Sequence, residues 1–159
     1  IGDAVVAESL AQSKALWQLR ESIPLAQAEE GLNVKHDIAL PVSRIAAFVA
    51  ATDAALAAAF PGVRLVDFGH LGDGNLHYNV QAPAGVDAAA FLRDHERAVN
   101  ALVFDAVAAH GGTFSAEHGI GALKRDELAR RKDAVALRMM RAIKAALDPQ
   151  GVMNPGRVL

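Results

Sequence analysis

The chain has 159 residues, of which 52% are hydrophobic and 21% charged, which is ordinary for a globular domain with its own core. A formal net charge of -2 gives no basic surface of the kind that nucleic-acid-binding proteins carry. There is no cysteine, so disulfides are excluded and any bound metal would need histidine and carboxylate ligands.

No apolar run approaches the ~20 residues of a membrane span, so we expect no membrane-spanning segment. The sequence begins Ile1-Gly2-Asp3, without an initiator methionine or a signal-peptide pattern. We therefore expect the chain to be a piece of a longer, cytoplasmic protein.

The first third of the chain predicts helix, strand and helix. Residues 1–30 are rich in helix-forming residues, with a loose apolar stripe that includes Leu10 and Trp17 and a break expected at Pro24. Residues 34–40 alternate as a strand does and stop at Pro41. A helix with one apolar face follows over residues 45–60, with Ser43 as its expected N-cap.

The centre of the chain predicts a β-hairpin over residues 63–81. Asp73-Gly74 is a strong two-residue turn signal, and a turn there would place His70 directly opposite His77. Directly opposed side chains lie on one face of a sheet, roughly 5 Å apart at Cβ, so the two imidazoles could share a divalent metal. Asn79 would share that face, whereas Tyr78 and its alternate neighbours would face the helices.

The last part predicts a long helix capped by Asp87, a short strand over residues 113–115, a short helix from Leu123 to Arg130, and a final helix capped by Asp133. We expect the apolar stripe of that last helix to be core. Residues 34–115 thus follow the order β-α-β-β-α-β. We predict an α+β, ferredoxin-like fold, an antiparallel sheet with helices on one face, plus N- and C-terminal helices.

A third metal ligand is expected in the glycine-rich segment after the last predicted strand, where Glu117 stands next to His118. Two histidines and one carboxylate, with a position left open, are typical of catalytic sites. His118 could then act as a general base, because imidazole exchanges protons near neutral pH. The alternative is that one hairpin histidine is exposed and the other satisfies a core carbonyl, with Glu117 and His118 as a solvated pair.

Three motifs resemble the C-terminal domain of FAD-linked oxidases of the vanillyl-alcohol oxidase type. They are Gly-His-Leu-Gly-Asp-Gly-Asn-Leu-His at 69–77, Glu-His-Gly-Ile-Gly with a lysine at 117–124, and Asp-Pro-Gln-Gly-Val-Met-Asn-Pro-Gly-Arg at 148–157. The segments 17–20 and 35–41 match that family too. The nearest branch resembles the D-2-hydroxy acid dehydrogenases: D-2-hydroxyglutarate and D-lactate dehydrogenases and the glycolate oxidase flavin subunit. The resemblance covers nearly all of residues 1–159, as one partial domain.

The resemblance implies a role for each matching residue. His70, His77 and Glu117 would hold a divalent metal, commonly zinc in this family, and His118 would take the proton of the substrate hydroxyl as hydride leaves C2 for the flavin. The substrate carboxylate would bind to Arg20 and Lys35. Two asparagines complete the implied set: Asn79 would position the substrate, and Asn154 would lie in the tail that approaches the FAD.

The family holds FAD mainly through an N-terminal domain with a glycine-rich loop, and no such stretch occurs here. We therefore expect the chain to require a FAD-binding domain of the same protein, and to be inactive alone. Apolar surface that missing segments would cover favours a homodimer. Two alternatives remain: a stand-alone module that binds metal or a small acid without redox activity, and an interaction domain in which the histidine pair is incidental.

Overall fold

A computed structural model describes residues 4–159, in two compact units, Ile1–Phe114 and Ser115–Leu159. The first unit contains α1 (Leu10–Glu21), α2 (Ile23–Glu29), β1 (Asn33–Ala39), α3 (Ile45–Ala59), β2 (Arg64–His70), β3 (Asn75–Gln81) and α4 (Ala88–Ala109). The second contains α5 (Arg125–Arg131) and α6 (Ala134–Leu147). Single 3-10 turns at Val42–Arg44 and Leu71–Asp73 complete the described elements.

The sheet has the order β1-β3-β2, and both pairings are antiparallel. The α+β class is therefore confirmed. The predicted strand at 113–115 is wrong, because only one isolated residue pair forms there. In that pair Thr113 and Ala39 exchange backbone hydrogen bonds, at 2.8 and 3.0 Å. The chain then turns, and the Ser115 hydroxyl donates to the carbonyl oxygen of Gly119 at 2.6 Å. The full ferredoxin-like pattern stays a prediction.

The core of the first unit lies between one face of the sheet and helices α3 and α4. Alternate residues of β3 point into it: Leu76, Tyr78 and Val80 are 6%, 1% and 0% exposed, as predicted. Because strand side chains alternate, every second residue of β3 lies on the opposite face. The helices thus cover one face of the sheet.

Helix α3 lies in the one described stretch, Val42–Ala59, that is long and apolar enough to cross a membrane by length and composition. This stretch has 18 residues because it includes the 3-10 turn before α3, and it is longer and more apolar than the sequence analysis expected of any segment. The finding is weak evidence for a span, because a core helix passes the same test, and four residues of α3 are buried.

The terminal helices differ from the prediction in what they bury. The first helix begins at Leu10, and the part of the predicted helix at residues 1–3 lies outside the described residues. The expected break lies just before Pro24: α1 ends at Glu21, and Pro24 stands in the first turn of α2, where proline has no amide hydrogen bond to break. Leu10 and Trp17 are 83% and 60% exposed, so the apolar stripe of α1 covers no core.

The stripe of α6 is also exposed, contrary to the expectation that it is core. Val135, Met139, Ile143 and Leu147 are all more than half exposed, and Leu137 is the buried residue of this helix. The predicted caps Asp87 and Asp133 are confirmed, since each carboxylate accepts a backbone amide of its helix. Ser43 is not a cap, because residues 42–44 form a 3-10 turn that runs straight into α3.

Candidate functional site

The face of the sheet opposite the core is lined with polar side chains, and we call it the polar face. Its residues are the alternate positions that the strand register brings side by side. From β1 these are Asn33, Lys35 and Asp37; from β3 Asn75, His77, Asn79 and Gln81; from β2 Arg64, Val66, Phe68 and His70. Four of the five predicted site residues of the first unit therefore share this face: Lys35, His70, His77 and Asn79.

The hairpin that carries both histidines has a different register from the predicted one. His70 pairs with Asn75, and His77 pairs with Phe68, so the prediction that the two histidines oppose each other directly is wrong. The turn is longer because residues 71–73 form a 3-10 turn that Gly74 closes in the left-handed conformation, with φ of 72°. The register is offset by two residues, which preserves the face. The histidines are diagonal neighbours, for which Cβ separations of about 7–8 Å are typical.

Asn79 is buried and engaged by neighbouring groups. Its Nδ2 donates to Oε1 of Gln27 on α2 at 2.7 Å, and its Oδ1 accepts the amide of His36 at 3.4 Å. A contact between α2 and the sheet thus fixes the orientation of this amide. Its predicted role, positioning the substrate, would require an exchange of one of these bonds or action through the backbone.

The two residues predicted to bind a carboxylate occupy different environments. Arg20, at the C-terminal end of α1, donates from Nη2 to the carbonyl oxygen of Gly69 at 3.0 Å, which holds it beside His70 on β2. Lys35 is exposed on β1 and pairs in register with Asn79. Arg20 is thus held against the sheet by a hydrogen bond, whereas Lys35 extends into solvent.

The structure does not by itself form the predicted metal centre. No group of three or more histidine, aspartate or glutamate side chains within residues 4–159 is arranged to hold a metal ion. His70 and His77 share the polar face of the first unit, whereas Glu117 belongs to the second unit. The donor types suit a divalent metal, and the first unit brings the two histidines onto one face.

Glu117 and His118 lie in an exposed, irregular segment of the second unit. The segment is folded on itself: the Ser115 hydroxyl binds the carbonyl oxygen of Gly119 at 2.6 Å, and Lys124 Nζ reaches that hydroxyl at 3.3 Å. Gly119 has φ of 71°, a left-handed conformation that favours glycine. Both predicted functional side chains are accessible to a ligand.

The C-terminal tail of the second unit is held by Asp148, which is 6% exposed. Its carboxylate accepts Lys144 Nζ at 2.5 Å and the amides of Val152 and Met153 at 2.9 Å each. The Lys144 bond, more than the two amides, holds the pKa of Asp148 below its ordinary value, although burial opposes the shift. The ordered tail places Asn154, with φ of 46°, at a mainly apolar groove of about 850 Å³ beside α6.

Two other groups have shifted pKa values outside these clusters. Burial, reinforced by a 2.5 Å hydrogen bond to Asp53, raises the pKa of Tyr78 well above 10.0, so this core hydroxyl stays protonated. Burial alone would raise the pKa of Glu127, but hydrogen bonds from Arg131 and Arg130 outweigh it and hold the pKa below 4.5. Both groups are structural.

Several buried polar residues on or against the polar face were given no role from the sequence, among them Asp37, Asn75 and Gln27. Asn75 donates to Asp37 at 3.0 Å, and Gln27 carries the contact with Asn79. Asp37 in β1 and Asn75 in β3 follow the alternation of their strands, so that alternation could have identified them. Gln27 lies in a helix rich in alanine and glutamate, and no local pattern distinguishes it.

Comparison with known proteins identifies the class of this domain. A family model for the C-terminal domain of FAD linked oxidases matches residues 1–158. The chain therefore belongs to this family of FAD-linked oxidase C-terminal domains.

Its relatives include proteins named D-2-hydroxyglutarate dehydrogenase. The protein of Stutzerimonas stutzeri is 38% identical over 156 residues, 98% of this chain and 33% of the relative. That of Xanthomonas citri is 40% identical over 158 residues, 99% and 33% of the two chains. The mitochondrial protein of Danio rerio is 38% identical over 161 residues, 100% and 28%. The chain spans about a third of the length of the relatives it matches.

Proposed function

We propose that this chain is the substrate-binding and metal-binding part of a flavin-dependent D-2-hydroxy acid dehydrogenase, and that its substrate is D-2-hydroxyglutarate. The names of the relatives support the reaction and the substrate. The observation that carries the proposal for this chain is the polar face, which gathers Lys35, His70, His77 and Asn79, with Arg20 held against β2 beside it.

In this proposal Arg20 and Lys35 bind the substrate. The Arg20 guanidinium can grip a carboxylate with two parallel hydrogen bonds, which a lysine ammonium cannot. Its bond to the Gly69 carbonyl uses one of its five N–H groups, so donors remain for a ligand. Lys35 adds a second positive charge from the exposed end of its side chain. Two cations suit a substrate that carries two carboxylates.

His118 would accept the proton of the substrate hydroxyl. The residue is exposed in a segment whose shape is held by hydrogen bonds of Ser115, so the imidazole can contact a ligand directly. FAD, bound by another domain of the same protein, would take up the hydride released from C2. The proton and the hydride together account for the oxidation of the hydroxy acid to a keto acid.

His70, His77 and Glu117 would hold a divalent metal, with zinc as our proposal. The fit is partial, because only the two histidines lie on one described face. Such an ion would make the substrate hydroxyl more acidic and stabilise negative charge on its oxygen. Asn154 would contact the flavin from the ordered C-terminal tail. We also propose a cytoplasmic location and a homodimer, the latter because apolar side chains of α1 are exposed.

The proposal is tested in the full-length protein with its FAD domain, by the oxidation of D-2-hydroxyglutarate. We expect His118→Ala to lower kcat by about 10²–10⁴-fold, because a base acts in the transition state. Arg20→Ala should mainly raise KM, because a carboxylate clamp grips substrate and transition state alike. Arg93→Ala and His95→Ala, at exposed positions of α4, are the matched controls.

Elemental analysis of the same proteins tests the metal ligands. Metal content should survive His118→Ala and Arg20→Ala but fall in His70→Ala and His77→Ala. Equal metal content in all variants would refute the ligand assignment. Loss of metal in His118→Ala with retention in Glu117→Ala would mean that these two neighbours exchange roles. Unchanged kcat in His118→Ala would refute the assignment of the base.

A further inference from the structure

A cleft of about 480 Å³ separates α2 from one end of the polar face. Its apolar lining comes from Ile23 and Ala26 on α2 and from Val66 on β2. Its polar lining includes Gln27 from α2 and Gln81 from the end of β3. The volume lies in the range of small-molecule sites, and none of these residues belongs to the proposed catalytic set.

Two amide groups in this cleft lack hydrogen-bond partners among residues 4–159. They are Nε2 of Gln27 and Nε2 of Gln81, in side chains that are 7% and 3% exposed. A buried polar group without a partner costs free energy comparable to a lost hydrogen bond, so such groups are rare in folded proteins. Both residues line the same cleft, so one acceptor bound there would satisfy both groups.

A contact with Asn79 fixes the orientation of the Gln27 amide. Gln27 Oε1 already accepts Nδ2 of Asn79 at 2.7 Å, so the N–H₂ end of Gln27 is the one left to bind a ligand. The charge of Arg64 is balanced by Glu30: Nη1 pairs with that carboxylate at 2.7 Å, and Nε donates to the carbonyl oxygen of Ala82 at 3.3 Å. The ion pair cancels the local charge.

We propose that this cleft binds a small, uncharged carbonyl compound, whose oxygen accepts hydrogen bonds from Gln27 and Gln81 and whose short apolar body packs on Ile23, Ala26 and Val66. An anion would meet the carboxylate of Glu30 together with the guanidinium of Arg64 that pairs with it, so the cleft offers an anion no net positive charge, and an ammonium ion would meet two donors. The site is separate from the proposed reaction. The cleft is connected to Asn79 through Gln27, which lines the cleft and accepts a hydrogen bond from Asn79.

The probe is butyramide, titrated into ¹⁵N-labelled protein while the side-chain amide resonances of Gln27 and Gln81 are followed by NMR. We expect both to shift with a common dissociation constant of about 1 mM, typical for a ligand of this size. Butyrate should bind at least tenfold more weakly, and butylamine should not shift either resonance. Gln18, exposed on α1, serves as the internal control.

Two variants remove the donors in different ways. Gln81→Leu deletes the N–H₂ group, and Gln27→Glu replaces it with oxygen while keeping an acceptor for Asn79. Each should weaken butyramide binding by about tenfold, as expected for a lost hydrogen bond, whereas Gln18→Leu should not. Resonances that do not shift at 10 mM butyramide, about ten times the expected constant, would overturn the proposal. Equal shifts at Gln18, equal affinity in the variants, or preference for butylamine would overturn it as well.

Discussion

Gly74, which closes the turn of the hairpin that carries both histidines, should not tolerate a side chain. Its φ of 72° is a left-handed conformation, and a Cβ built there would lie 2.1 Å from the carbonyl oxygen of Leu40. That oxygen belongs to the backbone of a residue that is 5% exposed, so no flexible side chain can move aside. The amide of Leu40 also donates to the Gly74 carbonyl at 2.9 Å, a bond that any shift of the turn would break.

The expected cost of Gly74→Ala follows from these contacts. The left-handed backbone contributes roughly 1–2 kcal/mol for a residue with a Cβ, and the broken hydrogen bond about 1 kcal/mol more. A decrease of about 2–3 kcal/mol in the free energy of unfolding corresponds to a Tm lowered by about 4–12 °C for a chain of this size. The backbone movement needed to remove the clash between the new Cβ and the Leu40 carbonyl oxygen would add to this cost.

Urea denaturation of Gly74→Ala against Gly72→Ala tests the reasoning. Gly72 lies in the same turn, but a Cβ there meets nothing within 4 Å and its φ is not in the left-handed region. Its replacement should change the free energy of unfolding by less than about 0.5 kcal/mol. Equal destabilisation by both substitutions, or a Gly74→Ala protein as stable as the parent, would refute the account of this turn.

Two further outcomes are expected from the charge and the exposed surface of the chain. Because the pKa of Asp148 is held below 3.8, the bonds that order the tail persist as pH falls to that value and are lost only at lower pH. The amide resonances of Val152 and Met153 should therefore titrate below pH 3.8 and should not titrate there in Asp148→Asn; a midpoint at or above 3.8 would contradict the assignment. The exposed apolar residues of α1 should support self-association, so light scattering should give twice the chain mass, reduced in Leu10→Ser; a monomer at high concentration would count against the homodimer.

The alternation of β3 was predictable because it is a local property. Tyr78 and its alternate neighbours are apolar or aromatic, so the core face could be assigned from the sequence, and His77 and Asn79 were correctly placed on the other face. The turn was not predictable from Asp73-Gly74 alone. Its length depends on the contact of Gly74 with Leu40, a residue far away in the chain. The error of two residues kept the histidines on one face but moved them from opposed to diagonal positions.

Periodicity identified apolar stripes without identifying what covers them. The stripes of α3 and α4 are buried against the sheet, whereas the loose stripe of α1 and the regular stripe of α6 are exposed in this chain. Burial is a property of the whole assembly, and a helical repeat records only that one side is apolar. The burial of Gln27 was unpredictable for the same reason, because it depends on a partner in β3.

The strand order also determines how long a loop the chain must close before its sheet is complete. The β2–β3 hairpin joins neighbouring residues, whereas β1 reaches β3 only after the chain has closed a loop that contains α3 and β2. Closing the longer loop costs more entropy, so we expect the hairpin to form early in folding and β1 to dock afterwards. Leu65→Ala in β2 should then slow folding more than Val34→Ala in β1, at equal loss of stability; stopped-flow kinetics with the reverse order would show that β1 docks first.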